Sequence, residues 1–183
     1  MERIKLSEKT NISKISLGFW RLLDWKISEK ELQEYLHNLI ELGVTTFDHA
    51  DIYGNYECEQ LFGNAIRHNH SFRKSMEIVT KCGIKLKSDK FPDRKIKIYD
   101  TSKKHIIESV NTSLKNLSTD YIDLLLIHRP DPFIAPDEVA EAFFELEKEG
   151  KVLNFGVSNF NPLQFETLYS FFDRRLVANQ IEI

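Results

Sequence analysis

The feature that most constrains this chain is a regular alternation of short apolar runs with segments of helical period. The clearest run is Tyr121 to His128, which carries Leu124, Leu125, Leu126 and Ile127 in succession. Such a run has no polar face, so it needs cover on both sides, which a strand finds in a parallel sheet flanked by helices. Helical segments stand on either side of it. Ile106, Ile107, Val110, Leu114 and Leu117 mark one apolar face before it; Val139, Ala142, Phe143 and Leu146 mark another within Pro136 to Glu149, with Gly150 as the stop.

The same unit recurs along the chain. Ser28 and Glu31 have the S-x-x-E spacing of a capping box, and Leu32, Tyr35, Leu36, Leu39 and Ile40 follow at helical period up to Gly43. Val44 to His49 is predicted as a strand, Glu59 to Ile66 as a helix, Glu77 to Cys82 and Val152 to Ser158 as strands. Asn161-Pro162 pairs an N-cap side chain with proline in the first turn, and Leu176 to Ile183 is predicted as the last strand. The first seventeen residues are predicted as a hairpin, Ile4 to Leu6 against Ile12 to Leu17, with a first barrel strand around Ile15 to Phe19.

Six strands separated by helices imply an α/β fold with parallel strands and right-handed crossovers. An open doubly wound sheet for nucleotides would carry G-x-G-x-x-G in its first turn. None of the seven glycines forms that pattern. The expectation is therefore a (β/α)8 barrel, residues 1–183 forming one domain with about six of the eight strands. A whole barrel takes roughly 250 residues, which leaves two βα units unaccounted for. A longer protein or a completing partner is expected.

Charge and composition exclude other classes. A formal net charge of -3 lacks the basic footprint of a nucleic-acid binder. The lysines from Lys85 to Lys97 alternate with Asp89 and Asp93, as in a solvated loop, and His68 and His70 read as an exposed loop. Cys58 and Cys82 have no metal-like spacing. No apolar run approaches the roughly 20 residues a membrane span requires, and the N-terminus has no signal-like apolar region. A cytoplasmic protein with reduced thiols is expected.

In a parallel barrel the chemistry gathers at the C-terminal ends of strands. Asp48 ends the second predicted strand, with Tyr53 in the loop after it; Lys81 ends the third and His128 the fourth. Ser158 and Asn159 end the fifth, and Gln180 lies on the sixth. Singly, each has a plain structural reading: a turn tyrosine, a solvated lysine, a capping aspartate, a hydrogen-bonded histidine. Their coincidence at one end favours a site. An ammonium beside a tyrosine lowers the phenol pKa from its usual value near 10, and a carboxylate keeps that ammonium charged and placed. The phenol can then protonate a carbonyl oxygen while hydride reaches carbon, with an imidazole orienting that oxygen. Ser, Asn and Gln side chains suit a carboxamide, having both donors and acceptors. A metal site built from Asp48, His49, Asp51 and His128 is a distant alternative, disfavoured by the charge of Lys81.

At these residues the sequence resembles the aldo-keto reductase superfamily. The likeness runs through Phe47-Asp48-His49-Ala50-Asp51-Ile52-Tyr53-Gly54, Val79-Thr80-Lys81 and Tyr121 to His128. It continues through Gly150-Lys151-Val152, Phe155 to Phe160 and Asn179-Gln180-Ile181-Glu182. The resemblance implies an NADPH-dependent reduction of an aldehyde or ketone in a barrel plugged by the opening hairpin. Tyr53 would be the general acid, Asp48 and Lys81 its tuning pair, and His128 the carbonyl-orienting group. Ser158, Asn159 and Gln180 would hold the nicotinamide carboxamide, and Trp20 would line the substrate pocket, with Trp25 a weaker candidate. No metal is implied. A full-length protein would be a monomer, and a truncated one could self-associate through its open edges. The resemblance also contains a second reading: a non-catalytic module that senses nucleotide or binds a partner, as potassium-channel β subunits do.

Overall fold

The computed structural model of the chain describes residues 1–182; Ile183 and the side chain of His70 lie outside the described residues. Strands β1 (Arg3–Lys5) and β2 (Asn11–Ser13) pair antiparallel as a hairpin. The repeating part then runs β3 (Ser16–Gly18), α1 (Glu29–Glu41), β4 (Thr46–Asp48), α2 (Tyr53–Tyr56), α3 (Cys58–Ile66), α4 (His70–Arg73) and β5 (Glu77–Cys82). It continues with the short pair β6 (Ile84–Lys85) and β7 (Ile98–Tyr99), then α5 (Lys103–Asn116), β8 (Leu124–Ile127), α6 (Pro136–Lys148), β9 (Phe155–Ser158), α7 (Pro162–Phe171) and β10 (Leu176–Gln180).

Six of these strands form one parallel sheet in the order β10-β9-β8-β5-β4-β3. With helices between successive strands, this is a partial (β/α)8 barrel of six strands. The strand of four apolar residues, β8, lies at the centre with all four buried, the burial its composition demanded. Leu125 and Ile127 join the helix-side core with Val139, Phe143 and Phe155, while Leu124 and Leu126 pack inward with Val79. A second helix-side core holds Phe19, Phe47, Phe62, Leu36 and Ile78.

The opening hairpin closes the N-terminal end of the barrel. Leu6 packs against the inner cluster of Val79, Leu124 and Leu126. Ser13 Oγ accepts from the backbone N–H of Thr45 and of Thr46, at 3.1 and 3.0 Å. Arg3 reaches Thr45 Oγ1 and Glu77 Oε1 at 2.7 and 2.6 Å, and Asn154 Nδ2 donates to Thr10 Oγ1 at 2.6 Å. These bonds satisfy strand-end donors that would otherwise be buried without partners.

Several boundaries differ from the sequence reading. The run Ile12 to Leu17 divides at Lys14-Ile15 into β2 and β3, because the chain leaves the hairpin there to enter the parallel sheet. The predicted strands 44–49, 121–128 and 152–158 shorten to 46–48, 124–127 and 155–158; Ile122 and Val152 keep one isolated bridge. The last strand ends at Gln180, three residues before the predicted limit. Residues 86–97 are less free than a solvated loop. Tyr56 Oη accepts from Leu86 N at 2.7 Å and from Arg94 at 3.0 Å, and β6 pairs with β7 beneath them. Among the described residues no helix is long and apolar enough to cross a membrane.

Candidate active site

The alternation of side chains along parallel strands aims Asp48, Lys81, Gly156 and Ser158 into the barrel, while Phe47, Thr80 and Val157 face the helices. Lys81 is the centre of the arrangement. Its side chain is 2% exposed, and its ammonium donates to both Asp48 carboxylate oxygens, at 2.7 and 2.8 Å, and to the backbone oxygen of His49 at 2.8 Å. Tyr53 Oη lies 3.4 Å from the same nitrogen. The Tyr53 and His128 rings meet edge to face, with centroids 5.8 Å apart and planes at 79°.

Tyr53 opens α2, where the sequence reading had a loop. The turn is sharply bent: Gly54, Asn55 and Tyr56 all have φ between 54° and 67°. At Gly54 any side chain would meet Cys58 Sγ at 2.5 Å and Leu23 Cδ1 at 2.7 Å, so glycine is required on both conformational and steric grounds. That bend fixes Tyr53 over the end of β5.

The electrostatics correct one expectation. Lys81 was expected to lower the pKa of Tyr53, yet the phenol is pushed up to about 12, by burial first and by the Asp48 charge second. The Asp48 carboxylate, held in place by Lys81 through both oxygens, adds its own charge to the effect of burial. Arg129 works in the opposite direction on Tyr53. Burial lowers Lys81 itself, with Asp48 opposing. Burial, aided by Lys81 and Arg129, lowers His128 to about 3, so its ring is neutral near pH 7. His128 Nδ1 is buried without a partner.

The other predicted residues fall as follows. Ser158 pairs in register with Gln180, Asn159 N donates to Gln180 O at 2.9 Å, and Asn159 Nδ2 donates to Ser158 Oγ at 3.2 Å. All three therefore sit together at the end of β9 and β10. Trp20 lies just beyond the C-terminal end of β3 and is 64% exposed, with Arg21 over its ring. Trp25 instead packs on Phe19 and Tyr35. His49, one of the residues of the alternative metal set, is turned away, stacked on Phe19 and edge to face with Phe62; among the described residues no three potential ligands converge.

The sequence reading weighed Asp51 only as a conceivable metal ligand and gave Asp123 no role. Asp51 is buried behind β5, where its N–H donates to Lys81 O at 3.0 Å and its carboxylate accepts from Ser109 at 2.6 Å. Asp123 takes Arg73 at 2.7 Å and Ile78 N–H at 2.8 Å. A charged residue inside an otherwise apolar run was the available signal for Asp123.

Parallel βα units with an acid, an amine, a phenol and an imidazole at one strand-end face make up this part of a (β/α)8 barrel. The family model described as the Aldo/keto reductase family matches residues 14–183, and the chain belongs to that family. An uncharacterized oxidoreductase, YcsN, of Bacillus subtilis is 52% identical over 183 residues, covering all of this chain and 61% of that protein. A 6-dehydroglucose reductase of Agrobacterium fabrum is 44% identical over 184 residues, covering all of this chain and 62% of its own length. Among solved structures, the holo form of the aldo-keto reductase AKR11C1 from Bacillus halodurans superposes with a TM-score of 0.80 at 28% identity. That match covers all of this chain and 58% of the other. The chain thus spans about 61% of the length of these curated relatives.

Proposed function

We propose that the protein is an NADPH-dependent carbonyl reductase in which Tyr53 is the general acid. The observation that carries this reading is the contact of Lys81 Nζ with Tyr53 Oη at 3.4 Å, with the same ammonium held by Asp48. The family membership supports the class of reaction, and the name of the Agrobacterium relative supports reduction of a carbonyl.

The residues at the end of β9 and β10 fit a nicotinamide carboxamide. Ser158 Oγ accepts from Asn159, which leaves its own proton to donate, and Gln180 is exposed with both a donor and an acceptor. When bound, the cofactor supplies hydride to the carbonyl carbon. The chain's own work is on the oxygen. Tyr53 is fully protonated near pH 7 because burial and Asp48 hold its pKa high, so the proton is present to be given. As negative charge develops on the carbonyl oxygen, the Lys81 ammonium is the cation within reach to stabilise the phenolate left behind. Neutral His128, at the edge of the Tyr53 ring, can donate one N–H to the same oxygen and orient it. Trp20 offers an exposed aromatic surface at the mouth for the rest of the substrate.

The test is Tyr53→Phe assayed for NADPH-dependent reduction of a panel of aldehydes and ketones, with cofactor binding followed by fluorescence. Loss of turnover by about a hundredfold or more, with cofactor binding kept, is expected for removal of a general acid. Turnover at the rate of the unaltered protein would sink the assignment.

A further inference from the structure

Arg129 follows His128 directly, just past the end of β8. Its side chain is 41% exposed and pairs with Glu182 at 3.6 Å, a carboxylate that is itself 81% exposed. Glu182 stands two residues beyond β10, where its N–H donates to Asn159 Oδ1 at 3.0 Å. In the sheet β9 lies between β8 and β10. Neighbouring strands are about 4.8 Å apart, so the Arg129 side chain crosses the end of β9 to reach its partner. It therefore lies over the C-terminal mouth of the barrel, beside His128 and the group of Ser158, Asn159 and Gln180.

A second cation stands at the same end. Lys97 immediately precedes β7, whose antiparallel partner β6 continues the chain of β5 beyond Lys81. Lys97 is exposed, with its ammonium 5.5 Å from the centre of the Tyr99 ring. Both charges bear on His128, and that of Arg129 bears on Tyr53 as well.

Charge balance at the mouth decides what suits it. Asp48 and Lys81 neutralise each other. Glu182 offsets one of the two remaining cations through a single long contact between exposed groups, an arrangement worth little in water. One positive charge is left over, and a neutral carboxamide at Ser158, Asn159 and Gln180 makes no claim on it. A carboxylate can instead take the guanidinium through two parallel N–H donors, which is stronger than the single Glu182 contact.

We propose that the carbonyl substrate carries a carboxylate, which displaces Glu182 and is held by Arg129, with Lys97 adding attraction from the rim. The proposal rests on the reductase reading above and specifies its substrate class. The carboxylate is a spectator in the reaction. Hydride reaches the aldehyde carbon, the Tyr53 proton reaches its oxygen, NADPH is oxidised to NADP+, and the charge beside Arg129 is unchanged.

The experiment compares 4-oxobutanoate with its methyl ester, which has the same aldehyde, as substrates of the whole chain with NADPH. kcat/KM for the acid should exceed that for the ester by about tenfold or more. Arg129→Gln should lower this ratio by about tenfold, and Arg129→Lys by less, since it keeps the charge and loses the fork. Glu182→Gln, which frees the fork, should raise it. The ratio is the decisive readout, because any effect of Arg129 through Tyr53 or His128 touches both substrates and cancels. Binding is followed in parallel by calorimetry with 4-hydroxybutanoate against 1,4-butanediol, which needs no turnover. A ratio near one, or one unchanged in Arg129→Gln, would overturn the carboxylate subsite and leave the reductase reading intact. Turnover of neither substrate, with 4-hydroxybutanoate bound more tightly than the diol and released by Arg129→Gln, would uphold the subsite and sink the reductase reading. No turnover and no preference for the anion would overturn both.

Discussion

Asp48 grips Lys81 through both carboxylate oxygens, and the pair is almost wholly withdrawn from water. Breaking a buried ion pair by removing one partner leaves the other charge uncompensated, at a cost of about 3–5 kcal/mol. Asp48→Asn is therefore expected to lower unfolding stability by about that much at pH 7, read from urea melts. The sign of its pH dependence follows from Lys81. Burial already depresses this group, and without Asp48 it is depressed further. A lysine whose folded pKa lies below its unfolded value gives up stability as pH falls through the folded value. The gap between variant and parent should accordingly narrow as pH rises toward about 10. A gap that stays constant with pH would mean that removing Asp48 leaves the pKa of Lys81 unchanged.

Stability should peak near pH 6.5, where two opposing sets of buried groups cross. Above that point Glu59 and Asp51, raised to about 7 and about 8, must ionise inside the fold as pH climbs, and stability falls. Below it His49 and His128, held down to about 3, and His105, held at about 4, stay neutral in the fold but take up protons when unfolded. The three histidines outnumber the two acids, so stability also falls on the acid side. Thermal melts across pH 5 to 9 read both limbs. Glu59→Gln should flatten the alkaline limb and His49→Phe the acid one, the latter with a gain of about 1 kcal/mol. Both ring nitrogens of His49 lack partners between Phe19 and Phe62, so phenylalanine suits the site better. A monotonic rise in stability from pH 5 to 9 would exclude this balance.

Much of the barrel was legible because its signals are local. The Ser28–Glu31 capping box forms as its spacing predicted, as does the Asn161 cap followed by Pro162. The apolar run of β8 reads as buried because four consecutive apolar side chains can be satisfied in few other ways. What stayed hidden depends on partners far apart in sequence. The high pKa of Tyr53 arises from burial first and from the Asp48 charge second, and neither can be read from spacing. The left-handed bend at Gly54, Asn55 and Tyr56 depends on the crowding of Gly54 by Leu23 and Cys58. Asp51 and Arg73 are buried against partners more than forty residues away, Ser109 and Asp123.

Arg73 shows how expensive such a charge can be. Its guanidinium donates to Asp123, Thr119, Met76 O and Tyr121 O, and lies 3.9 Å over the Tyr121 ring. Asp123 also receives the N–H of Ile78, so one carboxylate ties the α4 turn to two adjacent barrel strands. Asp123→Asn keeps the shape and removes the charge. It should cost about 3–5 kcal/mol, because Arg73 remains buried without a counter-ion. Chemical denaturation measures this directly. A loss below about 1 kcal/mol would instead place the pair with surface ion pairs.

Trp20 offers the opposite case, a large side chain whose loss should leave the fold untouched. It is 64% exposed, whereas Trp25 nearby is packed against Phe19 and Tyr35. Trp20→Ala should shift the melting behaviour by no more than about 0.5 kcal/mol, as surface changes usually do. Trp25→Ala removes a half-buried aromatic body packed against the second core and should cost about 1–3 kcal/mol. The functional consequence separates the two again. If Trp20 lines the path to Tyr53, its removal raises KM for bulky carbonyl compounds while kcat for small ones is kept, because apolar contact is lost and the acid is not. Equal kinetics for small and bulky substrates in Trp20→Ala would leave the exposed ring without a role at the mouth.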